Sequence, residues 1–224
     1  MRQSRIIFNN FGLLSTFFYL IIAFFQRIFF FRIYRILNLE IKRKSLIPSQ
    51  RATDNGNGIK IKNIKVCALG ELEQELLANL PEYDINQEFL NQVRGPHERC
   101  FAVFSSSKVV SYGWFGRGFI HIINDFQIHP GPGMIYLHKV FTLPEFRGQH
   151  LLWRLIHGFI EQANFSCDRL LALVEIQNFS SQQGFRRAGF RSVGWLVLID
   201  KGNWNFYWSN KKVRRLGVKF SRLK

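Results

Sequence analysis

Cysteine is scarce in this chain. Cys67, Cys100 and Cys167 lie more than thirty positions apart, so they offer no paired metal-ligand spacing, and any disulfide would leave an odd thiol. That excludes a disulfide scaffold and points to a reducing compartment. Acidic residues are missing from the ends. Glu40 is the only acid among the first 50 residues, against eight Lys/Arg, and residues 201–224 hold eight Lys/Arg and no acid. Residues 51–200 are nearly neutral, with fifteen basic and fourteen acidic residues, so the net charge of +16 belongs to two flanks. With 47% apolar residues over 224 positions the chain is rich enough in apolar side chains to build a core, which excludes disorder throughout.

Small residues suited to signal-peptide cleavage are also absent where they would be needed. Phe11–Phe25 is an uncharged apolar run followed by Gln26, Arg27 and a second apolar stretch, so the segment is expected to be retained. Fifteen residues is short of the roughly 20 that span a bilayer, although a window admitting Arg27 reaches that length. Arg27, Arg32 and Arg35 gather on one side of a helical wheel, with Phe29, Phe30, Ile33 and Tyr34 mostly opposite. Residues 1–44 therefore read as an apolar, basic, membrane-associating helix that meets an anionic bilayer. More Lys/Arg follow the apolar run than precede it, which places the rest of the chain on the cytoplasmic side, behind a peripheral or single-span anchor. Packing of this helix on the domain or on a second copy is the alternative.

Residues 45–58 collect Pro, Ser, Asn, Asp and Gly and read as a linker; a domain is expected over 59–210, with a basic tail over 211–224. Alternation predicts a strand at the domain's start, and helical spacing follows from Glu71 to Leu80 and from Tyr83 to Val93. CFAVF and VVSYGWF predict a hairpin across SSSK, and a further strand is expected over 119–127. From Met134 the order is strand, loop (PEFRGQH), helix with Leu152, Ile156, Phe159 and Ile160 on one face, strand, short helix ended by Gly189, and strand. The pattern is that of an α+β domain with a mixed sheet.

Two segments carry chemistry. In VFTLPEFRGQHLLWRLI a loop opens a helix, where backbone N–H groups and the helix dipole suit a pyrophosphate, Arg147 adds charge and Gly148 permits close approach. The second is ALVEIQNFSSQQGFRRAGF. Together they resemble the GNAT superfamily of acyl-CoA-dependent acyltransferases over about residues 95–200. The resemblance implies a mixed, mostly antiparallel central sheet flanked by helices, here preceded by the apolar basic helix. It also implies acetyl-CoA as co-substrate and no metal. The family's Arg/Gln-x-x-Gly-x-Gly/Ala loop falls on Arg147, Gly148, Gln149, His150, Leu151 and Leu152, with His150 and Leu152 replacing its two small residues. A protonated His150 could itself face a phosphate. By the same resemblance Val140, Phe141 and Thr142 would contact the pantetheine arm through their backbone, and Asn178 would supply an amide contact. Asn178 precedes Phe185 by seven and Gly189 by eleven, as in the family's Asn-x-x-Ala-x-x-x-Tyr-x-x-x-Gly-Phe pattern.

Acetyl transfer to an amine needs a base for the amine proton and a route for the leaving thiolate. The family often uses Tyr for the latter, and Phe185 stands at that position. Tyr136, His138, Val140 and Thr142 alternate along one strand and are expected to share a face. His138 titrates near neutrality and is the first candidate base, with Glu175 second, Tyr136 beside them and Asp125 a weaker choice. These residues could equally be structural, and the five tryptophans suit core or interface packing better than a sugar site. The expected activity is transfer of an acetyl group to an amine, or a hydroxyl, of a small or lipid- or sugar-linked acceptor. The alternative is a GNAT-like binding or scaffold protein without catalysis. Nothing resembles a base-reading module, which argues against nucleic acid as the partner of the basic flanks.

Overall fold

The computed structural model describes residues 12–14, 16–17, 19–21, 23–24, 31–41, 63–93, 96–123, 126–162, 167–201 and 204–222. The fold is α+β, with mixed, mostly antiparallel strand pairing and flanking helices. In chain order the strands are β1 (Phe31–Glu40), β2 (Ile64–Ala68), β3 (Glu98–Ser105), β4 (Lys108–Gly116), β5 (Ile120–Ile123), β6 (Phe126–His129), β7 (Met134–Thr142), β8 (Arg169–Glu175), β9 (Arg191–Lys201), β10 (Trp204–Ser209) and β11 (Lys219–Arg222). The helices are α1 (Glu71–Ala78), α2 (Gln87–Val93), α3 (Leu151–Gln162), α4 (Phe179–Arg187) and α5 (Lys211–Arg215). The chain divides into a larger unit, residues 39–172 with 219–224, and a smaller one, residues 1–38 with 173–218.

In the larger unit β2, β3, β4 and β7 pair antiparallel in that order, and β7 pairs parallel with the start of β8. Every residue of β4 after Lys108 is buried, which is why VVSYGWF reads as a continuous apolar run: both of its faces are covered. On one face, Phe159 of α3 stacks on Phe115 at 3.8 Å between centroids and meets Phe101 edge-on at 5.1 Å. Full burial of such a side chain stabilises by about 1.5 to 3 kcal/mol. The buried stripe of α3 runs through Leu151, Leu155, Ile156, Gly158 and Phe159, one position round from the expected face, and Leu152 and Ile160 are only partly covered. Gly158 lies so close to Val66 that no Cβ fits, so the helix and β2 approach at backbone distance. On the opposite face Phe89 of α2 meets Trp114 edge-on at 4.9 Å. The β3–β4 turn is tighter than SSSK suggested, because Ser105 and Lys108 pair and Ser106 takes φ +56°. The strand expected over 119–127 is two strands, β5 and β6, which pair with each other, and β6 also pairs with β11 in a second, three-stranded sheet.

The smaller unit is built on β9, which pairs antiparallel with β1 on one side and β10 on the other. At the end of β8, Ile176 N–H donates to Ile33 O of β1 at 2.9 Å. After β10, Asn210 accepts the N–H of Trp195 at 3.1 Å, and Gly194 leaves the room that brings α5 against β9. The described residues between 12 and 24 are helical and expose Leu13, Leu14, Phe17, Leu20 and Phe24.

Two expectations are corrected here. Residues 31–40, read as part of a basic helix over 1–44, form a strand, because Ile33, Tyr34, Ile36 and Leu37 satisfy β9 rather than their own turn and Arg35 lies over the Trp195 ring at 4.8 Å. A short apolar run of aromatic and β-branched residues is compatible with either period, and pairing decides. Residues 211–222, read as a tail, form α5 and β11, with Val213, Val218 and Phe220 buried. The domain therefore draws on residues outside 59–210 at both ends. The expected linker 45–58 lies outside the described residues.

Candidate active site

β7 carries the candidate residues Tyr136, His138, Val140, Phe141 and Thr142, and an irregularity in it sets which side chains meet. Trp114 pairs with His138 and Tyr112 with Phe141, so β7 uses one residue more than β4 over the same step, and Lys139 takes φ +45°. This bulge corrects the expected alternation. Tyr136 and His138 share a face as expected, but Phe141 joins them, stacked on Tyr112 at 5.4 Å, while Val140 turns the other way to lie with Leu137 and Leu155 around Gly113. Thr142 follows Val140, with its Oγ1 2.9 Å from Ser111 Oγ, which also bonds Phe141 O at 2.7 Å. A one-residue slip moves every later side chain to the other face.

His138 sits among aromatic groups. The Tyr136 ring is parallel to it at 5.2 Å, and Phe89 meets it edge-on at 6.2 Å. Its Nε2 is 2.6 Å from Glu98 Oε2, and the two side chains are only 10% and 12% exposed. Glu98 is opposite Gly116, one row along the sheet from His138. Sequence reasoning missed Glu98, since forty residues separate the pair and only the β3–β4–β7 register brings them together. Lys139 points elsewhere, bonding Asp84 at 3.0 Å with its ammonium 5.4 Å from the Phe89 centroid. Burial and the Asp84 and Cys100 charges push the Tyr112 hydroxyl far up, so it stays protonated and donates to Tyr83 O.

Beyond Thr142 a loop leads into α3. Leu143 is buried, Pro144–Phe146 make a 3-10 turn anchored by buried Phe146, and Arg147 is extended with its Nε donating to Thr142 O at 3.2 Å. Gly148 then takes φ +84° and His150 φ +57°. Arg154 N–H donates to His150 O at 3.2 Å, the first turn of α3, so the N–H groups of Leu151, Leu152 and Trp153 stand at the helix opening without earlier carbonyls to bond. There is no acid in this first turn. His150 stands where the resembling motif has glycine and keeps the left-handed backbone that glycine would supply, a conformation His adopts more readily than most residues. The Nε2 of Gln149 is buried without a hydrogen-bond partner. The β7–β8 ladder covers Met134–Tyr136, and Val140, Phe141 and Thr142 lie past its last pair.

Within the smaller unit, Glu175 is held on both oxygens: Arg32 forms a close ion pair with Oε1, and Gln177 Nε2 donates to Oε2 at 3.2 Å. The pair is more open than that of His138, with side chains 49% and 26% exposed. Burial first, and the Glu175 charge second, push the Tyr34 hydroxyl up to about 12. Asn178 caps α4, its Oδ1 accepting the Ser181 N–H at 3.0 Å. Phe185 is buried and packs edge-on against Phe190 at 5.0 Å. Asp125 lies outside the described residues. Among the described residues no group of three His, Cys, Asp or Glu is placed to hold a metal.

An α+β domain in which a mixed sheet feeds a left-handed loop into a helix opening is the architecture that the motif resemblance implies. The acetyltransferase (GNAT) family matches residues 67–190, more than half of the chain, and the chain belongs to that family. The match holds every candidate site residue and leaves out β1, β9, β10, α5 and β11. Among solved structures, the chain is similar to AAC(6')-Iy in complex with a bisubstrate analogue, CoA-S-monomethyl-acetylneamine, at 14% identity and TM-score 0.47, over 58% of this chain and 92% of that one. It is also similar to a putative GNAT acetyltransferase from Novosphingobium aromaticivorans, at 16% and 0.47 over 75% and 63% of the two chains. A third likeness is to a conserved protein of unknown function from Staphylococcus epidermidis, at 12% and 0.48 over 80% and 66%. No curated protein matches.

Proposed function

We propose that this chain transfers an acetyl group from acetyl-CoA to an amine, or a hydroxyl, of a small or lipid- or sugar-linked acceptor. The observation that carries the reading is the β7–α3 loop: Arg147, the left-handed turns at Gly148 and His150, and the amides of Leu151 and Leu152 form an opening at a helix whose first turn has no acid. These groups fit a pyrophosphate, which supplies the anion that a helix N-terminus and an arginine attract. Backbone groups of Val140, Phe141 and Thr142, past the β8 ladder, suit the extended pantetheine arm in the manner of an added strand. Asn178 keeps its side-chain NH₂ for an amide contact while its oxygen caps α4.

His138 is the general base. It takes the proton of the acceptor amine as the nitrogen attacks the thioester carbonyl, in a setting that Tyr136 and Phe89 keep largely dry. Glu175 is second, because Arg32 and Gln177 already occupy both of its oxygens. Phe185 has no proton to give, so the thiolate leaves with water as its proton source.

The acceptor is met at an anionic membrane surface on the cytoplasmic side. Support comes from the eight Lys/Arg among residues 1–44 and from the exposed Leu13, Leu14, Phe17 and Leu20 on described helical residues. No helix of the described residues is long and apolar enough to cross a membrane.

The test is acetyl-CoA binding by calorimetry on the full chain, beside Arg147→Ala. Binding in the micromolar range that weakens in the variant supports the reading, and absence of binding would replace it with a scaffold role. Co-sedimentation with vesicles of phosphatidylcholine, with and without phosphatidylglycerol, tests the membrane surface; equal binding to both would remove the anionic lipid from the proposal.

A further inference from the structure

We infer that Glu98 is a positioning residue that fixes the tautomer of His138 and stabilises its protonated form. The inference rests on the proposed role of His138 as base and adds the partner that makes the base work. Three observations carry it. The contact is short, at 2.6 Å between Nε2 and Oε2, in the range of a charge-assisted hydrogen bond. It is sheltered, with the two side chains 10% and 12% exposed, so water competes weakly for either group. It is also built by rigid elements: Glu98 opens β3, His138 lies on β7, and β4 pairs with both.

A carboxylate accepts and does not donate, so neutral His138 carries its proton on Nε2 and presents the Nδ1 lone pair to the acceptor. When the amine nitrogen forms its bond to the acyl carbon and the carbon–sulfur bond breaks, the amine proton moves to Nδ1. The imidazolium then has its positive charge beside Glu98, and the thiolate takes a proton from water. The other ionisable groups round this face are few. Tyr136 stacks on the ring, and burial holds the Tyr112 hydroxyl and the Cys100 thiol well up, so those two are neutral near pH 7. The Lys139 ammonium bonds Asp84, and α2 adds only Glu88, which is exposed. Glu98 is therefore the charge that His138 meets at hydrogen-bond distance.

The experiment is nitrogen–proton correlation NMR of the full chain labelled with ¹⁵N-histidine, titrated from pH 4 to 9 without acetyl-CoA or acceptor. His138→Gln identifies the His138 signals among the six histidines. Wild type is expected to show neutral His138 as the Nε2–H tautomer. Glu98→Gln, which removes the neighbouring charge, is expected to lower its titration midpoint and to let the Nδ1–H form appear. Glu98→Asp, which keeps the charge, is expected to retain part of the shift. A wild-type Nδ1–H tautomer would overturn the inference with no variant needed, and so would equal midpoints in wild type and Glu98→Gln. Because the readout uses neither substrate, an absence of acetyl transfer counts against the proposed function alone.

Discussion

Glu98 and Glu175 each pair with a basic side chain, and their surroundings differ. Glu98 meets a histidine between β3 and β7 where both groups are nearly dry; Glu175 meets Arg32 in the smaller unit where half of the arginine is in water. An arginine stays charged throughout the working range, so the Arg32–Glu175 pair holds a fixed arrangement and has no proton to exchange. A histidine changes charge near neutrality, so the Glu98–His138 pair can take a proton and return it. Shelter adds to the difference, since an ion pair open to water is worth little. The chemistry of a pair follows from the titrating partner and its burial more than from the carboxylate.

The first way to sharpen this comparison is to remove the strand that carries Arg32. Deleting residues 1–58 takes β1 from β9 and uncovers the surface that Tyr34, Ile36 and Leu37 bury, so the truncated chain is expected to aggregate or lose its cooperative thermal transition. A soluble, cooperatively folding product would show that β1 is dispensable. Next in size, His138→Ala should lower turnover of acetyl-CoA by about 10² to 10⁴ fold, the ordinary span for loss of a general base, while Glu175→Gln should cost far less. CoA release followed by a thiol reagent reports both, and equal losses would erase the distinction drawn between the two pairs.

Arg147→Ala should weaken acetyl-CoA binding by about 1.5 to 3 kcal/mol, the worth of a hydrogen bond to a charged group, with little effect on the His138 titration. His150→Gly acts in the opposite direction. Relief of a left-handed residue should raise stability by about 1 kcal/mol, seen as a higher thermal midpoint, with the loop's backbone unchanged. Stability in alkali turns on Tyr34. Its hydroxyl is pushed up to about 12 in the folded chain from about 10, so the unfolded chain loses this proton first. That contribution to stability is complete below pH 10 and is lost as pH rises towards 12. Tyr34→Phe should flatten the alkaline limb of a denaturation series; an unchanged slope would mean that Tyr34 does not titrate differently on folding.

Legibility varied with how local the cause was. The order from β7 to β9 could be read directly, since Pro144 stops a strand, Gly148 and Gly189 mark turns with φ of +84° and +96°, and Phe159 and Ile156 recur at helical spacing. The turn into α3 was legible for the same reason: an arginine and a glycine before an apolar helix are local facts. Three features were hidden. Residues 31–40 have apolar spacing that fits a helix or a strand, and only β9 distinguishes them. Trp204–Ser209 form a strand that no alternation announced, because Phe206 and Trp208 pair with Ile199 and Val197. The bulge at Lys139 has no local mark, as lysine is not a residue that announces a left-handed turn, and it carried Val140 and Thr142 away from His138.

The sequence by itself determined the class of fold, the family resemblance, the helix-opening loop at Arg147–Leu152, the concentration of charge in two flanks and His138 as the candidate base. Each depends on residues close together in the chain, where spacing alone sets which face a side chain occupies. The tertiary structure alone decided that β1 completes the pairing of β9, that residues 211–222 fold, that β7 changes face at Lys139 and that Glu98 meets His138. Those are outcomes of strand pairing between distant segments, and a register is settled by the backbone hydrogen bonds and buried faces of both partners, of which any one segment holds half.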